Sequence, residues 1–127
     1  MGMSDREYTL TFEDRGSYLY ARITGRDSYA ASMAYWPAIA DEVERTGFKR
    51  ILVHENLQGI VTEGEIYEIL MNLRGSALMG IRIAFYDENR QDIPLNSLGQ
   101  LIANNRGGQV HLFQNLQAAE EWISRPD

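Results

Sequence analysis

Residues able to do chemistry gather in the middle of the chain, where Ile51 to Leu70 reads ILVHENLQGIVTEGEIYEIL. An apolar run delivers His54, Glu55 and Asn56, and then Gly59 and Thr62 lead into a helical pattern. A histidine at the carboxyl end of a strand stands where open α/β sheets bind ligands, and it is the side chain that most readily exchanges a proton near neutral pH. Catalysis or metal binding asks for more: an orienting partner with a nucleophile, or further ligands. The only other histidine, His111, falls on a separate strand with no carboxylate motif beside it. Strand alternation also sends His54 and Glu55 to opposite faces of the sheet. The pattern assigns no catalytic residue and no metal ligand. His54 and Asn56 are kept as candidate ligand-binding residues, and an enzyme using His54 with Glu55 is the remote alternative.

Thr62 is followed three residues later by Glu65, the spacing of a capping box in which hydroxyl and carboxylate each satisfy a backbone amide. A threonine at a helix start is also a phosphorylation candidate, since the helix dipole favours added negative charge. Glu63 and Glu65 already load that position with charge of the same sign. Gly75 and Gly80 lack the spacing of a dinucleotide-binding turn, and no phosphate-binding loop motif occurs. Asp87, Glu88 and Asp92 match neither a calcium loop nor a paired-carboxylate site and read as a solvated turn. Tyr29, Met33, Tyr35 and Trp36 form a cluster richer in aromatic and methionine side chains than packing alone requires. They read either as core or as the border of a pocket for a nonpolar ligand or partner.

The elements that must position these residues follow from periodicity. Tyr8, Leu10 and Phe12 alternate with polar residues, and the alternation resumes at Leu19, Ala21 and Ile23 after Arg15-Gly16-Ser17, which predicts a hairpin with one buried face. Asp27 or Ser28 then caps a helical stretch. Pro37 interrupts it, and an interior proline costs roughly 3 kcal/mol. The expectation is therefore two helices, about Ser28 to Tyr35 and Pro37 to about Gly47, the first able to move as a lid. Ile51 to Val53 reads as a strand covered on both faces, and a helix follows from about Glu63 to Leu73. A strand at Ile81 to Phe85, a helix from Pro94 to about Asn105, a strand at Val110 to Phe113 and a final helix capped by Asn115 complete the chain. This order predicts an α/β fold: a five-stranded, mostly parallel sheet with an antiparallel N-terminal hairpin and helices packed on it.

Composition bounds the function. A chain of 127 residues with 44% hydrophobic content fits one domain spanning residues 1–127. A net charge of -6 and scattered basic residues argue against nucleic acid as a partner. The absence of cysteine excludes disulfides and thiolate metal sites, and a cytoplasmic location is expected. No apolar run approaches the ~20 residues of a transmembrane segment. Met1-Gly2 suggests N-terminal acylation, but Arg6 stands where that signal requires Ser or Thr. No cofactor is called for. The outer edge of the hairpin could pair with a second copy as a homodimer, and Glu13 and Arg22 could equally discourage it.

Several stretches together resemble the SpoIIAA-like family of STAS-type domains, in the branch described as STAS/CRAL-TRIO-like. They are Tyr29 to Pro37 with Ile39, ILVHENLQG, GIRIAFYDEN, ANNRG and, most distinctive, VHLFQNLQAAEEWI, spanning about Gly25 to Ile123. The resemblance implies a SpoIIAA/STAS-like sheet with no established catalytic residues. It also implies a topology similar to anti-sigma-factor antagonists, with nonpolar, lipid-like cargo suggested for some members. In those antagonists a phosphorylatable serine sits in an Asp-Ser pair at the start of the helix after the central strand. Here that neighbourhood reads GIVTEGE, leaving Thr62 as the nearest equivalent without the pair. The expectation is a non-enzymatic binding module for a nonpolar small molecule or a protein partner, with Tyr29, Met33, Tyr35, Trp36, His54 and Asn56 at its site. The alternative is a STAS-type regulator switched at Thr62.

Overall fold

Alternating burial along the first two strands produces the hairpin: β1 (Tyr8–Asp14) pairs antiparallel with β2 (Leu19–Arg26), Leu10 opposite Ile23 and Phe12 opposite Ala21. The computed structural model describes residues 7–126, so the acylation motif at the start of the chain lies outside the described residues. The remaining order is α1 (Tyr29–Thr46), β3 (Arg50–Gln58), α2 (Glu63–Asn72), a 3-10 turn (Ala77–Gly80), β4 (Arg82–Asp87), a second 3-10 turn (Arg90–Asp92), α3 (Ile93–Asn105), β5 (Gln109–Phe113) and α4 (Leu116–Ser124). The strands form one sheet in the order β1-β2-β3-β4-β5, parallel from β2 onward.

Each parallel step moves one place in the same direction across the sheet. With crossovers of constant right-handedness, α1, α2 and α3 must then share one face. The packing agrees: the larger core joins Ile39 and Val43 of α1 and Ile69 of α2 to Ile51, Val53 and Ile83 of the sheet. On the opposite face α4 supplies Ala119 and Ile123, packed with Tyr18, Tyr20, Leu52 and Ala84. Residues 51, 53, 55 and 57 of β3 thus face the three-helix side, and residues 52, 54 and 56 the other.

Two expectations are corrected. Pro37 lies inside a single helix instead of dividing two, so the segment Tyr29 to Trp36 is not a separate lid. Core side chains lie on both sides of the proline, Ala31 and Tyr35 before it and Ile39, Ala40 and Val43 after it. Burying each large one contributes about 1.5–3 kcal/mol, enough to offset the missing hydrogen bond. The central strand is also longer than its aliphatic run: β3 continues through Gln58, so His54, Glu55 and Asn56 lie within it. The caps are local chemistry. Ser28 accepts from the Ala31 amide at 3.0 Å and Asn115 from Ala118 at 2.8 Å.

Candidate functional site: an apolar cavity with an acidic end

The carboxyl ends of β2, β3 and β4 lie side by side beneath the three-helix face. Asp27 leaves β2 and is tied to the end of β3 by its amide, which donates to Gln58 O at 2.6 Å. Gly59 permits this approach. Its φ is +119°, and a Cβ there would stand 2.5 Å from the Asp27 carbonyl oxygen, a separation that only glycine allows. Capped helices on one side and the sheet on the other enclose a cavity of about 130 Å³. Ile69 of α2, Leu73 just after it, Leu78 of the 3-10 turn, Ile83 of β4 and Ala103 of α3 form its apolar walls. Tyr35, Trp36 and Phe85 add an aromatic flank, with ring centroids 5.8 Å apart for Tyr35–Trp36 and 6.1 Å for Trp36–Phe85.

The other end of the cavity is acidic. Asp27, Glu55, Asp87 and Asp92 all line it, and among the described residues no lysine, arginine or histidine does. Asp27 Oδ1 accepts from the Ser28 amide at 2.8 Å and from Ser32 Oγ at 2.9 Å, and Oδ2 accepts from the Tyr35 hydroxyl at 3.1 Å. Asp87 accepts from the Asn89 amide at 2.8 Å and Asn96 Nδ2 at 3.0 Å. Glu55 is far less well served. It is 5% exposed, and its only hydrogen bond among the described residues links Oε2 to the Tyr35 hydroxyl at 3.5 Å.

Electrostatics follow from this arrangement. Burial pushes the Glu55 carboxyl well above the usual carboxylate range, and the charges of Asp87, Asp27 and Asp92 push the same way. Asp27 is raised by burial against the opposing effect of its hydrogen bonds. Asp92 is pushed up to about 7 by burial, a hydrogen bond with Asp87 and that group's charge. Among the described residues no three acidic or histidine side chains are placed to share a metal ion.

Of the six residues expected at the site, the structure brings Tyr35 and Trp36 to the cavity. Tyr29 and Met33 pack half-buried against the same core without lining the cavity, Tyr29 donating to Glu68 at 3.0 Å. His54 and Asn56 face away, on the α4 side, which also separates His54 from Glu55 and removes them as a catalytic pair. His54 is buried and satisfied at both nitrogens: the Tyr20 hydroxyl meets Nδ1 at 2.7 Å and Glu88 Oε2 meets Nε2 at 2.6 Å. The tautomer that suits both partners carries its proton on Nε2. Burial lowers the His54 pKa against the pull of Glu88, so the ring is neutral at pH 7. Thr62 caps α2 in a complete capping box, accepting from the Glu65 amide at 3.2 Å while Glu65 accepts from the Thr62 amide at 2.9 Å.

The acidic end is what the sequence reading missed. Asp87 and Asp92, read as a solvated turn, line the cavity instead, because the second 3-10 turn folds Asp92 back toward Asp87 before α3 begins. Asp27, read as a possible cap, leaves capping to Ser28 and turns its carboxylate to Tyr35.

No family model matches the chain, and no curated protein matches it. Among solved structures, an uncharacterized protein from the DUF3478 family with a SpoIIAA-like fold, from Shewanella loihica PV-4, is similar with a TM-score of 0.54. The likeness covers 96% of this chain and 99% of that one at 14% sequence identity. It shows a SpoIIAA-like α/β fold, as the sequence resemblance implied. No helix among the described residues is long and apolar enough to cross a membrane.

Proposed function

We propose that this protein is a non-enzymatic binding module that holds a small, largely apolar molecule between the three-helix face and the sheet. The observation that carries the reading is the cavity itself. It lies at the carboxyl ends of parallel strands, where α/β sheets accept ligands. Its body is aliphatic and aromatic, with polar groups confined to one end, the usual composition of a small-molecule site. Its volume of about 130 Å³ is close to that of an engineered apolar cavity of roughly 150 Å³ that admits benzene, so the natural occupant has a body of about one ring. Two arrangements support binding over catalysis: the buried histidine is committed to Tyr20 and Glu88 on the far face, and the Ser32 and Tyr35 hydroxyls in the cavity are both engaged by Asp27.

Trp36 provides the test. Trp122 packs with the α4 core on the other face, so a Trp122→Phe variant leaves Trp36 as the only indole. Titration with ring-sized compounds, neutral, cationic and anionic, is expected to change Trp36 emission saturably and to raise the melting temperature, a ligand at 100 times its Kd adding about 2.7 kcal/mol. A folded protein that responds to no member of the set would overturn the reading.

A phospho-switched regulator is the second reading, supported by the exposed Thr62 hydroxyl at the start of α2. Incubation with a kinase-containing lysate followed by intact-mass measurement is expected to add one phosphate. An unchanged mass counts against it.

A further inference from the structure

The acidic end of the cavity sets the chemistry of its occupant. Asp27 follows β2, Tyr35 belongs to α1, Glu55 to β3, Asp87 to β4 and Asp92 to the turn before α3. The polar side chains that α3 adds, Asn96 and Gln100, are neutral, and α2 adds only apolar residues. Every formal charge that the described residues place around the cavity is therefore negative. A fatty acid or a phosphate compound entering here would meet like charge in a low-dielectric setting.

A second observation concerns Glu55, the most buried carboxyl of the cluster. Glu55 is nine-tenths buried and lines the cavity, yet its one hydrogen bond is at the 3.5 Å limit and Oε1 has no partner among the described residues. Its neighbours are better provided: Asp27 and Asp87 each hold amide or side-chain donors at 2.8 to 3.1 Å. A carboxyl this short of protein donors is open to a donor from the cavity, which a ligand can supply.

We infer that the cavity binds a small hydrophobic amine, its ammonium group seated between Glu55 and the Asp27, Asp87 and Asp92 carboxyls and its single-ring or short-chain body against Trp36, Phe85 and the aliphatic wall. This rests on the binding reading above and deepens it. An ammonium has three donors, which fits a site with acceptors on three sides and no metal-like convergence. The aromatic flank adds attraction for a cation close to its rings. Burial and the neighbouring carboxylates favour the protonated form of Glu55, whereas an arriving cation favours its ionised form, so binding is linked to proton release and weakens as the pH falls. The half-exposed Asp92, which titrates near 7, adds to the same dependence.

Calorimetric titration of the full chain with three compounds of one shape tests this: 2-phenylethylamine, 2-phenylethanol and phenylacetate, at pH 8 and pH 6. The amine is expected to bind at least tenfold more tightly than the alcohol at pH 8, the acid not at all, and the amine about tenfold more weakly at pH 6. Glu55→Gln is expected to bring the amine-to-alcohol ratio toward one. Asp92→Asn, at a half-exposed position, is expected to lessen the pH dependence, and a melting curve checks that each variant folds. If the alcohol or acid binds as tightly as the amine, the amine inference fails while the binding module stands. If none of the three binds, the binding reading fails and takes the inference with it.

Discussion

The Tyr35 hydroxyl organises the acidic end of the cavity, and its removal by Tyr35→Phe has a calculable effect. The ring is 1% exposed and packs at 5.5 Å from Tyr8 and 5.8 Å from Trp36, so phenylalanine keeps the apolar burial and only the hydroxyl is lost. Ser32 retains its bond to Asp27 Oδ1 and loses nothing decisive. Asp27 Oδ2 loses a donor to a carboxylate, worth about 1.5–3 kcal/mol, and Glu55 loses its only, long hydrogen bond, which adds less. The expected destabilisation is about 2–3 kcal/mol, a fall of roughly 6–15 °C in Tm for a chain of this length. Urea unfolding at pH 7 measures it, with m unchanged. At pH 4 the raised Asp27 pKa leaves that carboxyl partly neutral, the bond weakens, and the penalty of the variant shrinks. A double-mutant cycle with Asp27→Asn isolates the pair. A loss below about 0.5 kcal/mol, or strict additivity in the cycle, would refute the role given to the hydroxyl.

Other outcomes follow from the same geometry. Gly59→Ala is expected to destabilise by about 1–3 kcal/mol in urea unfolding, since its φ of +119° and the Asp27 carbonyl at 2.5 Å both oppose a Cβ. Gly99→Ala is expected to stabilise by about 0.5–1 kcal/mol in the same assay, because the position is helical and the new Cβ meets Ile66 Cγ2 at an ordinary 3.8 Å. His54 and Glu55 should bend the stability–pH curve in opposite senses. The folded-state pKa of His54 is lowered, so the unfolded chain binds more protons and stability is lost as pH falls below about 6.5. The folded-state pKa of Glu55 is raised, so stability is lost as pH rises above about 4.5. His54→Gln and Glu55→Gln should each flatten the corresponding limb of Tm against pH.

The strand and helix order was legible because binary patterns dominate each segment. The alternation of Leu19, Ala21 and Ile23 and the caps at Ser28, Thr62 and Asn115 are local signals, and the structure realises them locally. Pro37 misled because a local penalty was weighed without the tertiary packing that outweighs it. The site was less legible, for a different reason. Asp27, Glu55, Asp87 and Asp92 come from four elements and meet only when the strands align, so no spacing along the chain announces them. One signal was available: Glu55 shares the alternation of Ile51, Val53 and Leu57, which marks it as a carboxyl facing the larger core. Reading the histidine beside it as the notable residue drew attention to the wrong face.

Neighbouring positions on β3 show which face is adapted for binding. His54 and Glu55 are both buried, yet His54 has a short hydrogen bond at each nitrogen whereas Glu55 has one long contact. A satisfied polar group costs little to bury, and removing it orphans its partners; an unsatisfied one costs on the order of 1–3 kcal/mol, and removing it relieves the fold. His54→Leu should therefore destabilise the protein by about 2 kcal/mol, leaving the Tyr20 hydroxyl without its acceptor and Glu88 without its donor. Glu55→Met, of similar length and apolar, should stabilise it by about 1 kcal/mol in urea unfolding, as happens when buried ionisable groups are replaced by packed hydrophobic ones, while abolishing preference for the amine. Local strain at functional sites is the pattern expected where a sequence departs from the most stable choice. A Glu55→Met variant as damaged as His54→Leu would instead mean that the carboxyl holds the fold together and is not reserved for a ligand.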